Sequence, residues 1–104
     1  KVLGQSAPSA ATLTTLYTVP ASTSSVVSSI RVVNTSTTAT KFRIAVRALG
    51  ASISNEHYIN YDDDIVLGNP YTATIGMTLL ATDVVSVYAT LGTVSFNMFG
   101  QENS

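Results

Sequence analysis

Between Lys41 and Arg47 apolar and polar side chains alternate one for one, with Phe42, Ile44 and Val46 on one parity and Lys41, Arg43, Ala45 and Arg47 on the other. A period of two marks a half-buried strand, because successive strand side chains point to opposite faces. The parity of Phe42, Ile44 and Val46 is therefore expected to face the core. On that reading Ile44→Ala costs roughly 2–5 kcal/mol, whereas Arg43→Ala stays within roughly 0.5 kcal/mol. Just upstream, Ser25 to Asn34 is rich in β-branched residues, with Val26, Ile30 and Val32 on one parity and Val27, Arg31 and Val33 on the other. The Thr35 to Thr40 run between these segments reads as a hairpin loop.

The same pattern recurs at Ala11 to Val19, His57 to Tyr61, Tyr71 to Leu79, Asp83 to Ala89 and Thr93 to Phe99, with shorter stretches at Val2 to Gln5 and Ile65 to Leu67. Turn residues separate them: Pro20, Gly50, Gly68-Asn69-Pro70, Ala81-Thr82-Asp83 and Leu91-Gly92. The window with least β character, Leu49 to Glu56, is too short for a stable helix and contains Gly50. Seven to nine short strands without crossover helices predict an all-β chain. The expected form is an antiparallel β-sandwich of jelly-roll or immunoglobulin-like type, or a small barrel, in one domain over residues 1–104. The Cys pair and Trp of immunoglobulin domains are absent from the sequence. Leu3-Gly4-Gln5 is echoed by Phe99-Gly100-Gln101. The echo is either chance or the mark of two terminal strands ending at the same edge.

Only 11% of residues are charged, the net charge is −1 and mean hydropathy is +0.30. Such a chain does not have the charge-rich, apolar-poor make-up of a disordered one. Its polarity comes mostly from Ser and Thr, and a small, nearly neutral exterior suits being covered by neighbours, so a homo-oligomer is expected. Without cysteine there is no disulfide, thiolate nucleophile or Cys-based zinc site. No apolar run approaches the roughly 20 residues of a membrane helix, and the first residues lack a signal-peptide layout. No membrane partner is expected. With Lys1 in place of Met, a few upstream residues or a larger parent chain are expected ahead of this numbering.

Residues able to carry chemistry are few. His57 is the one histidine, with none three or four positions away to complete a zinc-protease pattern. It reads as a surface or strand-end residue. Asp62-Asp63-Asp64 is the one acidic run, but contiguous strand residues alternate faces, and position six of a calcium loop would be Leu67 where Gly is required. A glycosidase pair from Glu56 and one of these aspartates has no spacing to support it. No phosphate loop, nucleophile elbow or dinucleotide fingerprint occurs. No catalytic residue, cofactor or metal is assigned. Asn34-Thr35-Ser36 matches the glycosylation acceptor, a match that chance supplies in so hydroxyl-rich a chain.

Four of the five cations fall between Arg31 and Arg47. Lys41, Arg43 and Arg47 share a strand face, and Arg31 would join them if the preceding strand paired as a hairpin. The bland reading is a solvated face. The functional reading sets Arg31, Lys41, Arg43 and Arg47 against Glu56, Asp62, Asp63 and Asp64 of a neighbouring subunit, a heterologous contact that closes into rings such as trimers. Four cations without an aromatic stacking platform do not make a nucleic-acid site.

Val2-Leu3-Gly4-Gln5, Leu16-Tyr17-Thr18-Val19-Pro20, Phe42-Arg43-Ile44-Ala45-Val46-Arg47, Thr78-Leu79, Asp83-Val84-Val85-Ser86-Val87-Tyr88-Ala89, Ser95-Phe96 and Phe99-Gly100 together resemble the small virion structural proteins of tailed bacteriophages, of cyanophage and marine-phage type. The resemblance implies a structural protein on the phage particle surface rather than an enzyme. Its expected role is a capsid decoration or cement protein bound to major capsid or tail proteins. The alternative is a tail, baseplate or fibre module, with loop tyrosines such as Tyr58, Tyr61 and Tyr71, plus aspartates and asparagines, expected to contact host glycans.

Overall fold

The computed structural model describes residues 1–74 and 76–103. Ile75, inside the stretch expected as one strand from Tyr71 to Leu79, lies outside the described residues. The described residues form nine strands: β1 (Val2–Ser6), β2 (Thr14–Thr18), β3 (Ser24–Asn34), β4 (Thr40–Arg47), β5 (Tyr58–Ile65), β6 (Tyr71–Ala73), β7 (Met77–Leu79), β8 (Val84–Ala89) and β9 (Val94–Asn103). Two 3-10 turns, Ala48–Gly50 and Asn55–His57, flank residues 51–54 in the Leu49 to Glu56 window, and His57, expected to open a strand, closes the second turn instead.

The strands make two antiparallel sheets. One has the order β1-β9-β3-β6, with β7 also on β3; the other is β2-β8-β4-β5. Both β6 and β7 run antiparallel to β3, at Val32↔Tyr71 and Val27↔Met77, so they form two pieces of one edge. The pairs are then β1 with β9, β2 with β8, β3 with β6 and β7, and β4 with β5. An antiparallel ribbon folded at β4–β5 and rolled up gives this order, so the sandwich is a jelly roll rather than immunoglobulin-like.

One expectation is overturned here. Although β3 and β4 are consecutive, they lie in different sheets, so Thr35 to Thr40 is a connection between sheets and not a hairpin loop. Arg31 consequently sits on the outer face of the five-stranded sheet, where it donates to Thr72 Oγ1 at 2.9 Å, and not beside Lys41, Arg43 and Arg47.

The core follows the alternation of β4: Phe42 and Ile44 are fully buried and Val46 packs against the cluster. Phe42 meets Phe96 and Tyr71 of the opposite sheet at ring-centroid distances of 6.2 and 5.3 Å. In β3 the parity changes midway. The register to β9 steps from Val27↔Gly100 to Ser29↔Phe99, which leaves an extra residue at Ser28. This bulge puts Val27 inside with Ile30 and Val32 and turns Val26 out. The echo of Leu3-Gly4-Gln5 in Phe99-Gly100-Gln101 falls on strands that do pair, β1 with β9. Both glycines permit close backbone approach: an added Cβ would lie 2.3 Å from the Leu16 carbonyl oxygen at Gly4 and 2.2 Å from that of Val26 at Gly100.

Polar groups tie the sheets together at the margins of this core. The Tyr17 hydroxyl of β2 donates to Glu102 of β9 and shares a hydrogen bond with Ser25 of β3. Across the β5–β6 margin, the Asn60 amide donates to the Tyr71 hydroxyl at 3.1 Å and to Asp63 at 2.6 Å. Asn34, 1% exposed, closes one end. Its amide nitrogen donates to the Thr38 and Ile65 carbonyls, and its oxygen accepts from the Ser36 N–H and the Thr93 hydroxyl. A side chain so enclosed is a structural post and not a surface glycosylation acceptor.

Candidate functional site

The outer face of the four-stranded sheet holds most of the charged residues singled out in the sequence. In β4, Lys41 and Arg43 point outward because Phe42 and Ile44 are turned to the core. Next to them, β5 carries an extra residue between Asp63, which pairs with Phe42, and Asn60, which pairs with Ile44. Asp62 takes a left-handed φ of 52° at this bulge, a conformation that Asp tolerates better than most residues. The kink brings both Tyr61 and Asp62 to Arg43.

Arg43 is the centre of the arrangement. Its Nε donates to Asp62 at 2.6 Å, and its guanidinium carbon lies 4.2 Å from the ring centroids of both Tyr61 and Tyr88. The planar cation is thus stacked between a β5 and a β8 tyrosine, a geometry that Lys could not reproduce. Tyr58 meets Tyr61 edge-to-face at 4.9 Å, and Tyr61 remains 54% exposed. Arg43 holds the Asp62 carboxyl below the ordinary carboxylate range, chiefly by direct hydrogen bonding. In return Asp62 raises the guanidinium above its ordinary value.

Lys41 bonds Asp64 at 2.6 Å on the strand beside it. The acidic segment envisaged on a neighbouring subunit therefore already meets Lys41 and Arg43 within one chain. Arg47 donates to the Ala51 carbonyl at 3.1 Å, and Asp63 is turned to Asn60 on the opposite side of β5. Glu56 lies in the second 3-10 turn, its carboxyl held below the ordinary range chiefly by the Ser54 hydroxyl. His57 ends that turn, where its Nδ1 accepts the Ser54 N–H at 3.0 Å.

Of the three tyrosines considered as ligand contacts, Tyr58 and Tyr61 come together, and with Asn55 they line an open hollow of about 400 Å³. Tyr71 does not join them, being packed on Phe42 and bonded to Asn60. Tyr88 and the stacking role of Arg43 were not singled out from sequence. A Tyr at an outward position opposite Arg43 is a visible signal only once β4 and β8 are known to pair. Among the described residues no three His, Asp or Glu side chains converge as a metal site, and no helix is long and apolar enough to cross a membrane.

Among the described residues, this face groups aromatic rings, a guanidinium and carboxylates. Comparison with known families, curated proteins and solved structures finds no match to this chain.

Proposed function

We propose that this chain is a non-catalytic structural protein of a tailed-phage particle, a capsid decoration or cement protein that docks to other virion proteins through the outer face of its four-stranded sheet. The observation that carries the docking reading is the stack of Arg43 between Tyr61 and Tyr88. Tyr and Arg supply the anchors of many protein interfaces, and they do so best when their geometry is fixed before contact. Here Asp62 already neutralises the guanidinium, so a partner covering this face does not strand an unpaired charge. The particle context comes from the sequence resemblance, with which a jelly roll accords.

A second reading, a tail, baseplate or fibre module that binds host glycans, is favoured by the hollow of Asn55, Tyr58 and Tyr61, which joins aromatic rings to an amide. Quantitative mass spectrometry of purified particles separates the locations: hundreds of copies mean shell decoration, a handful a tail or fibre position. For the site, Tyr61→Ala should weaken binding of the purified chain to particles lacking it by roughly 5- to 30-fold. Unchanged binding would remove this face from the docking reading. Binding of Tyr58-dependent character to immobilised glycans, without affinity for particles, would favour the second.

A further inference from the structure

At one end of the sandwich two leucines project from adjacent turns. Leu49 is 77% exposed and Leu80 63% exposed. Asp83 fixes both, one carboxylate oxygen accepting the Leu49 N–H at 3.0 Å and the other the Leu80 N–H at 2.9 Å. Leu49 also has a φ of 55°, a left-handed conformation that its Cβ makes unfavourable, followed by Gly50 at 66°. Strain held in place by a carboxylate, on a side chain left in water, points to a contact surface. Asp83 accepts the two backbone N–H groups and nearby Arg47 donates through Nη1 to the Ala51 carbonyl, so both charged side chains at the knob are held by local hydrogen bonds.

The same two strands carry a counterpart at their other end. β4 and β8 run antiparallel from Phe42↔Ala89 to Arg47↔Val84, so the start of β4 and the finish of β8 lie together, roughly 25–30 Å from the knob at the strand rise per residue. There Ala39, Thr40, Lys41, Thr90 and Leu91 line a mostly apolar hollow of about 300 Å³. Its walls are fixed: the Thr90 N–H donates to the Lys41 carbonyl at 3.0 Å, and the Lys41 ammonium is held by Asp64. Thr40 Oγ1 in that wall is buried without a partner.

Sideways strand addition is obstructed. β1, β2 and β5 each carry an extra residue relative to their partners, and the remaining edge is divided into β6 and β7. Broken edges of this kind resist edge-to-edge pairing. End-to-end contact is left open.

We propose that the Leu49–Leu80 knob of one copy seats in the Ala39–Leu91 hollow of the next, so that this chain self-associates head to tail. The contact is heterologous, closing into a ring such as a trimer or running on as a filament, according to the rotation per step. It deepens the docking reading, on which it rests only in treating the chain as a repeated component.

The test uses the purified full chain in sedimentation equilibrium, with concentration raised to roughly 1 mM to reach weak contacts. Wild type should rise above 10.9 kDa as concentration increases. Leu49→Asn should stay monomeric while its Tm holds or rises by up to roughly 5 °C, since Asn accepts the left-handed region. Ala39→Arg, an exposed change that fills the hollow, should also be monomeric. Mixed one to one, these two variants should form dimers and nothing larger, because each retains the half the other lacks. Leu80→Ser is the second knob variant and should behave as Leu49→Asn does. A wild type that stays monomeric, a Leu49→Asn variant that associates normally or melts markedly lower, or a mixture that restores nothing would overturn the proposal. A monomeric chain that still binds particles through Tyr61 overturns self-association alone and leaves the docking reading standing.

Discussion

The two outer faces of the sandwich differ in how their polar groups are satisfied. On the four-stranded sheet, full charges pair across strands, Lys41 with Asp64 and Arg43 with Asp62, and Arg43 is stacked between two rings. On the outer face of the five-stranded sheet two cross-strand bonds go to neutral acceptors, Gln5 to Asn97 at 2.7 Å and Arg31 to Thr72 at 2.9 Å, with Val26 and Phe99 exposed nearby. Exposed hydrogen bonds to neutral acceptors exchange readily with water and gain little net stability. A stacked, salt-bridged guanidinium offers a partner a fixed shape. The contrast therefore separates a face with preset geometry from one that is only wet.

The largest expected effect serves as the reference for that contrast, because it belongs to neither face. Phe42→Ala should cost about 3–5 kcal/mol in urea unfolding, since the ring is fully buried and spans to Phe96 and Tyr71. A cost no greater than that of any outer-face change would mean that the faces, and not the core, hold the sheets together. Asn34→Ala should follow at about 1–3 kcal/mol, because it leaves the buried Ile65 carbonyl, and the part-buried backbone groups of Ser36 and Thr38, without their partner.

The same substitution made on both faces then tests the contrast directly. Arg43→Ala should destabilise by about 1–2 kcal/mol through loss of two ring contacts and an ion pair, whereas Arg31→Ala should stay within about 0.5 kcal/mol. The alternation of β4 alone predicts a small effect at Arg43, because period two distinguishes inward from outward and says nothing of what an outward side chain touches. Arg43→Lys sharpens the comparison. It keeps the charge but loses the planar stack, so most of the Ala effect should persist. Equal effects at positions 31 and 43 would erase the difference between the faces.

Period two carried the strands and the inward set of β4, since Phe42, Ile44 and Val46 lie on a strand without an internal bulge of its own. It failed in β3, where one extra residue at Ser28 exchanges Val26 for Val27 and no local composition marks the shift. Pairing was equally hidden. Thr35 to Thr40 has the residues of a loop whether it joins neighbours in one sheet or crosses between two, and only long-range burial decides. That choice displaced Arg31 and put Asp62 and Asp64 beside Arg43 and Lys41. The segregation of base and acid along the sequence was legible, but its meaning, cross-strand pairing within one chain, depended on β4 and β5 being the adjacent strands.

The smallest expected effect concerns acid, and it compares a carboxylate on the outer face with one at the sheet margin. Arg43 depresses Asp62 by hydrogen bonding, while Glu102 is depressed first by its hydrogen bond to Lys1 and then by that from Tyr17. A carboxyl whose folded pKa lies below its unfolded value binds fewer protons in the native state. The stability it contributes is present above the ordinary carboxylate range and is lost as pH falls through the depressed folded value. Unfolding free energy should therefore decline on acidification below about pH 4–5, modestly, because both groups are only half-buried and remain screened by water and salt. Carboxyl NMR titration assigns the parts. Arg43→Ala should return Asp62 toward its ordinary value and leave Glu102 unmoved, whereas Tyr17→Phe should raise Glu102 alone. Added salt should weaken the ion-pair part of both depressions and spare the Tyr17 hydrogen bond, so Glu102 should keep more of its depression than Asp62. If Asp62 is the more salt-resistant of the two, the ring-enclosed Arg43–Asp62 pair is better shielded from solvent than its exposure indicates, and the four-stranded face is more rigid than the contrast drawn from its contacts.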